Sequence, residues 1–252
     1  MAELSEVRAY LHDRLQIDET PDYPQAHNGL QLSNDGFVGK IGAAVDACLP
    51  VIQQAVDTEV DFLVVHHGLF WSGVQPIEGA LYEKLKLAME HNLAIYSAHI
   101  PLDVHDVFGN NVCLAAALGL EDTRAFFPWK GVLLGRRAAV TDWTRTRLLE
   151  QLQEALGGPV HCAPGGPENL KEIGIITGGA GSEVAAMAKA GIDTFITGEG
   201  PHHTYALAEE VGVNLVYAGH YATETYGVKA LAAHLSERYD MSTVFLDHPS
   251  GL

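Results

Sequence analysis

Apolar positions along this chain fall into two alternating rhythms. Leu4, Val7, Leu11 and Leu15 recur at helical spacing with charged residues between them, which predicts an amphipathic N-terminal helix. A Pro/Asn/Gly-rich passage, "TPDYPQAHNGLQLSNDG", follows and predicts loop and turn. Beyond it, short apolar runs alternate with helical patterns: "KIGAAV" as strand, "LPVIQQAVD" as helix with Pro50 in its first turn, "FLVV" as strand, "LYEKLKLAMEHN" as helix, "LAIYSAH" as strand and "NNVCLAAALGL" as helix. This order is that of an α/β protein.

The second half repeats it. "LKEIGIIT" reads as strand, "SEVAAMAKAG" as a helix capped by Ser182 and ended by Gly191, "DTFIT" as strand, "TYALAEEVG" as helix and "NLVYAG" as strand. Sliding one half on the other without gaps pairs Gly42 with Gly174, Asp61 with Asp193 and Gly68 with Gly200. In the next block "IYSAHIPLD" falls on "VYAGHYATE", pairing Tyr96 with Tyr217, His99 with His220 and Asp103 with Glu224. Each half therefore carries a strand ending in His, with a carboxylate four residues later. The expected architecture is two related α/β lobes, residues 1–128 and 170–252, joined by a connecting module at 129–169 with one helix in "WTRTRLLEQLQEALGG". The site is expected between the lobes at the strands' C-terminal ends, where open α/β sheets bind ligands.

Composition narrows the functional classes. The chain has 252 residues, 47% of them hydrophobic, enough for a sizeable core. Fifteen basic residues against 32 acidic ones give a net charge of −17, which opposes binding to a phosphate backbone unless a local basic patch such as Arg136–Arg137 intervenes. There is no basic start followed by an apolar core and no run of about 18 apolar residues, so a cytoplasmic protein without a membrane span is expected. Cys48, Cys113 and Cys162 are isolated and odd in number, against a disulfide framework or thiolate zinc site, and are expected as small buried apolar residues.

The chemistry concentrates where "FLVV" ends in His66, His67 and Gly68. Neighbouring side chains of a strand point to opposite sides, so regular β geometry suits His66 and His67 to two adjacent ions rather than one. If a helix begins after Gly219, His220 and Glu224 stand one turn apart on one face. Pro101 opposes the same argument for His99 and Asp103, leaving Asp103 to reach inward from a loop. His66, His67, Asp103, His220 and Glu224 form an imidazole and carboxylate set without thiolate, suited to zinc, iron, manganese, cobalt or nickel. Two divalent ions there would make an electropositive spot in an acidic protein, with affinity for a small anionic or phosphorylated ligand, and would activate water toward an electrophile.

In "TGEGPHHTYAL", Glu199 aligns with His67 and suits a general base or a partner of a metal ligand; alternatively it caps the following helix. His202 and His203 are expected to line the pocket or orient ligands, with His203 a second catalytic candidate beside Glu199. Asn28 and Gln31 in "AHNGLQL" are either substrate contacts or ordinary turn residues. "GAGSE" after the strand "IGIIT" is a Gly-rich turn that could meet a phosphate.

In order and over most of the chain, "HHGLFW", "SAHIPLD", "TGEGPHH" and "GHYATE" resemble the NGG-interacting factor three-like proteins, some of which are named type 2 GTP cyclohydrolase I. The resemblance implies a two-lobed α/β subunit, a toroidal homohexamer, and a dinuclear metal centre facing the internal cavity, with ligands falling on His66, His67, Asp103, His220 and Glu224. Two positions depart from the pattern: "AHNGLQ" lacks the acidic residue and Val that many relatives carry, and Ile100 stands where Thr often follows the histidine. The short middle module leaves no room for the larger inserted domain of some relatives.

Two functional readings follow. One is a dinuclear metal-dependent hydrolase acting on a nucleotide or other phosphorylated small molecule, with GTP ring opening as a candidate. The other is a non-enzymatic hexameric protein that binds or delivers metal.

Overall fold

The computed structural model describes residues 1–71, 73 and 75–252. The chain divides into two compact units, Met1–Phe108 with Gly227–His248, and Gly109–Tyr226 with Pro249–Leu252. Both are α/β units, the first built on four parallel strands and the second on three.

In the first unit the sheet order is Ser242–Phe245, Lys40–Asp46, Phe62–His67, Ala94–Ser97 and Gly29–Leu32, the last strand alone antiparallel to its neighbour. Alternate residues feed two separate cores. Ile41, Phe62, Val64 and Tyr96 join Leu4, Val7, Leu11, Leu231 and Leu235, whereas Ala44, Leu63, Val65 and Ile95 join Val51, Ile52, Ala55 and Ala88. Helices thus cover both faces, which is why "FLVV" is continuously apolar rather than alternating. The N-terminal helix, Leu4–Arg14, buries the predicted positions Leu4, Val7 and Leu11. Gly29–Leu32 lies inside the passage expected to be loop; its pairing with Ala94–Ser97 is short and broken by a register shift between Leu30 and Leu32.

The second unit's sheet runs Arg124–Trp129, Val132–Thr144, Asn169–Ile175, Thr194–Thr197, Asn214–Tyr217 and His161–Pro164, with the third to fifth strands parallel. Residues 129–169 supply this sheet with the long strand Val132–Thr144 and the strand His161–Pro164, besides the predicted helix, Arg145–Leu156. That helix is capped by Thr144, whose hydroxyl accepts from the Arg147 N–H, and ends at Gly157 in the left-handed region. Ile173, Ile175, Ile196 and Val216 pack with Leu114, Leu148 and Leu152 on one face; Phe195 and Leu215 pack with Val184, Met187 and Ala208 on the other. Ser182 does not cap the helix after "IGIIT": it sits within a 3-10 turn, Gly181–Glu183, that leads into the short helix Val184–Lys189.

The long helix His220–Tyr239 begins in the second unit and continues in the first. No helix among the described residues is long and apolar enough to cross a membrane. Among those residues there is no disulfide, and the three cysteines are half-buried rather than buried; burial pushes the Cys162 thiol up to about 11.

Candidate metal centre

The first unit gathers three imidazoles. One ring nitrogen each from His66, His67 and His99 lie within 4.8 Å of one another. The two adjacent histidines do not diverge as a regular strand requires: their ring centroids stand 4.8 Å apart, tilted by 42°. They end the strand Phe62–His67, and each ring is turned by a different oxygen. His66 Nδ1 lies 2.9 Å from the Ala98 carbonyl and His67 Nδ1 2.8 Å from Asp46 Oδ1. Asp46 closes the neighbouring strand in register with His67.

His99 is buried and treated the same way. Its Nδ1 lies 2.9 Å from Asp22 Oδ1, and its backbone N–H donates to Asn28 Oδ1 at 2.8 Å. Asn28 in turn donates to Asp22 Oδ2 at 2.8 Å, so it braces this pair. Gln31 is also structural: its amide donates to the His27 carbonyl and accepts from the Leu69 N–H. Burial holds the His99 imidazole below its ordinary value despite Asp22. Burial raises the Asp22 carboxyl, and hydrogen bonds from His99 and Asn28 more than offset this, leaving it lowered.

Asp103 comes from a helical turn rather than a loop. Ile100–Asp103 is one turn of helix with Pro101 in its first positions, where a missing N–H costs nothing. The turn buries Asp103 and brings Oδ2 to 3.5 Å from His66 Nε2.

The second unit carries a smaller donor set. His220 and Glu224 stand at i and i+4 in the first turn of their helix, with Nε2 3.2 Å from Glu224 Oε2. His220 Nδ1 is 2.8 Å from Glu199 Oε1, so Glu199 orients this imidazole. It caps no helix, since the next one, His203–Val211, has no side-chain cap. Burial opposes charge on His220, but Glu224 and Glu199 outweigh it and push the imidazole up to about 9. His202 and His203 are both exposed; His202 lines a cavity with Glu199. The glycines after "IGIIT" serve close packing: a Cβ on Gly178 would stand 2.2 Å from Glu224 Oε1, and one on Gly181 2.6 Å from the Gly200 Cα. In the basic pair, Arg137 is committed to Glu172 at 2.9 Å.

One pattern unites the four histidines. Each places Nδ1 against an oxygen, an arrangement that, in the neutral imidazole, puts the proton on Nδ1 and leaves the lone pair on Nε2. Metal-binding histidines are held in this way, the second nitrogen anchored to a carboxylate or carbonyl. The donors are nitrogen and oxygen, and the set fits a borderline divalent ion.

The family model of Duf34/NIF3 (NGG1p interacting factor 3) matches residues 2–250. The chain belongs to the DUF34/NIF3 family. A DUF34/NIF3 relative from Deinococcus radiodurans, named GTP cyclohydrolase 1 type 2 homolog, is 36% identical over 98% of this chain and 94% of its own. One of the same name from Pyrococcus horikoshii is 37% identical over 98% of both chains. The crystal structure of a Thermus thermophilus protein matches with a TM-score of 0.89 and 39% identity, covering 100% of both chains.

The sequence pointed to the DUF34/NIF3 ligand candidates but not to Asp22, Asp46 or the Ala98 carbonyl. A signal existed for Asp46, which ends an apolar strand directly before the strand that carries the histidines. None existed for Asp22, which lies in a Pro-rich loop 77 residues before His99.

Proposed function

We propose that this DUF34/NIF3 protein is a hydrolase that uses two divalent metal ions and acts on a nucleotide or another phosphorylated small molecule. In this reading His66, His67, Asp103, His220 and Glu224 hold the ions, and zinc, iron, manganese, cobalt and nickel all suit the donors. The observation that carries it is the anchoring of all three ligand imidazoles by Nδ1, His67 and His220 on carboxylates and His66 on the Ala98 carbonyl. When bound, such a pair supplies Lewis acidity toward an anionic oxygen and acidifies water.

The chain's own residues do the preparatory work. Asp46, Glu199 and the Ala98 carbonyl hold His67, His220 and His66 in fixed orientations, so little side-chain search accompanies binding, and Asp22 holds the adjoining His99 in the same way. Glu199 and His203 remain the candidates for proton transfer, Glu199 because its carboxylate is half-exposed beside His220. GTP ring opening to formate and dihydroneopterin triphosphate is the candidate reaction, supported by the relatives' name. A cytoplasmic homohexamer, the assembly implied by the sequence resemblance, is part of the reading.

A non-enzymatic metal-binding protein is the second reading, favoured by Glu199 being engaged in orienting His220 rather than standing apart as a base. Metal content per chain, after purification without added metal or chelator, tests what both share: about two ions, falling in His66→Ala and Glu224→Ala. Wild-type protein that holds no metal and cannot be loaded sinks both. Formate release from GTP by loaded protein then separates them, and its absence across nucleotides leaves the binding protein.

A further inference from the structure

The segment Gly198–Glu199–Gly200 is built to project one side chain. A Cβ on Gly198 would stand 2.6 Å from the His220 Cα, and one on Gly200 2.8 Å from the Gly181 Cα, so the backbone packs directly on its neighbours at both positions. Glu199 between them is 49% exposed. Its carboxylate offers about four acceptor sites, of which His220 takes one.

Glu199 lines a cavity of about 510 Å³ in the second unit, together with His161, His202, Tyr205 and Tyr217. Ligands of nucleoside size occupy cavities on this scale. Its aromatic wall is fixed. The His161 ring centroid lies 5.7 Å from that of Tyr205 and 6.1 Å from that of Tyr217, nearly parallel to the latter at 24°. Thr204 Oγ1 gives its proton to the Pro201 carbonyl at 2.7 Å, so the Tyr217 hydroxyl donates to Thr204 at 2.7 Å and its ring cannot swing freely. Neither lysine nor arginine is among the lining residues. A phosphate here would meet the Glu199 charge with no lysine or arginine to offset it, and the His220 imidazole beside it is already paired with Glu199 and Glu224.

We propose that this cavity recognises a flat nitrogen heterocycle bearing adjacent N–H donors, stacked on the aromatic wall at His161 and Tyr205 and read at its edge by the Glu199 carboxylate. The anionic end of the same molecule lies outside the cavity. This deepens the proposed function and rests on it only in taking the ring to be part of the substrate. Rigid aromatic faces bind any planar base; the carboxylate adds selection, because it pairs with an edge that presents N–H groups and repels one that presents acceptors.

The test is calorimetric titration of the as-purified protein with guanosine, adenosine and ribose 5-phosphate. Guanosine, whose edge carries an N–H beside an amino group, is expected to bind at least about tenfold more tightly than adenosine. His161→Ala and Tyr205→Leu are each expected to weaken guanosine about tenfold while leaving metal content and any ribose 5-phosphate binding at wild-type levels. Glu199→Gln is expected to erase the preference over adenosine. Absence of guanosine binding, or unchanged affinity in both aromatic variants, overturns the proposal. Metal content separates the two claims. Protein without metal that still binds guanosine in this pattern keeps the cavity and sinks the metal reading; metal-loaded protein indifferent to guanosine does the reverse.

Discussion

Asp193 does in the second unit what Asp61 does in the first. The Asp61 carboxylate accepts the N–H groups of Gly39 and Lys40, 22 and 21 residues earlier; that of Asp193 accepts those of Lys171 and Glu172, also 22 and 21 residues earlier. Each aspartate directly precedes a parallel strand, Phe62–His67 or Thr194–Thr197, and holds the backbone of the neighbouring parallel strand, Lys40–Asp46 or Asn169–Ile175. Removing either leaves two backbone N–H groups without their acceptor, at the entrance of Lys40–Asp46 in one case and within Asn169–Ile175 in the other. Asp61→Ala and Asp193→Ala are each expected to lower stability by about 1–3 kcal/mol. Urea midpoints of the two variants check this, and a wild-type midpoint in either rejects the equivalence.

That equivalence was readable because backbone geometry demanded particular residues. Asp61 with Asp193 and Gly42 with Gly174 are forced by the same contacts: a Cβ on Gly42 would press on Val60, and one on Gly174 on Phe126 and Ile192. The strands were readable because two cores claim alternate residues and leave the runs uniformly apolar. Where a segment is only partly buried the signal failed. Gly29–Leu32 is a short edge strand with three half-buried residues, and Val132–Thr144 mixes exposed and buried positions without strict alternation. Four of the five proposed ligands were readable because they fall in pairs that a motif spaces on one element, His66 with His67 on a strand and His220 with Glu224 on a helix; Asp103 stands alone on its helical turn. The carboxylates that anchor His67 and the adjoining His99 were not readable, since Asp46 and Asp22 meet them only through folding, across 21 and 77 residues.

Asp46 tests whether anchoring matters. Its side chain is 41% exposed, so removing it should leave the fold intact, but His67 would lose the acceptor that sets its tautomer and ring angle. Asp46→Ala is expected to weaken metal binding about 10- to 100-fold, measured by chelator competition, with an unchanged circular dichroism spectrum. Asp46→Asn should lose less, because its carbonyl still accepts from Nδ1–H. Equal affinity in all three proteins rejects the anchoring role.

Gly178 tests how closely Glu224 is seated. It has φ +70°, and an added Cβ would lie 2.2 Å from Glu224 Oε1 and 3.4 Å from His220 Nε2. Gly178→Ala therefore adds left-handed backbone strain and drives the carboxylate from its place. Gly157→Ala supplies the control, since it has φ +67° and nothing within 4 Å. Both variants are expected to lose roughly 1 kcal/mol or more of stability. Only Gly178→Ala is expected to lose metal as well, read by elemental analysis; equal metal content in the two variants counts against Glu224 as a ligand.

His105 gives the fold a pH dependence separate from the candidate metal centre. Its Nδ1 accepts the N–H groups of Val107 and Phe108 at 3.1 and 3.0 Å, and its ring stacks on Phe108 with centroids 4.7 Å apart. A proton on Nδ1 would abolish both acceptances. Burial, then the Arg14 charge, lowers this imidazole from 6.5, and Asp106 only partly offsets them. Because the folded value lies below the unfolded one, the unfolded chain takes up the extra proton in acid. The stabilisation is complete above about pH 6.5 and is lost as the pH falls through the folded value. His234, also lowered by burial and by Arg14 and Arg238, works in the same direction. Wild-type urea midpoints should therefore fall between about pH 6.5 and 5, below the range in which His220, raised to about 9, contributes most of its opposite trend. The fall should be shallower in His105→Asn, whose side-chain carbonyl can accept the same N–H groups without titrating. Parallel profiles for the two proteins would show that the proton is taken up elsewhere.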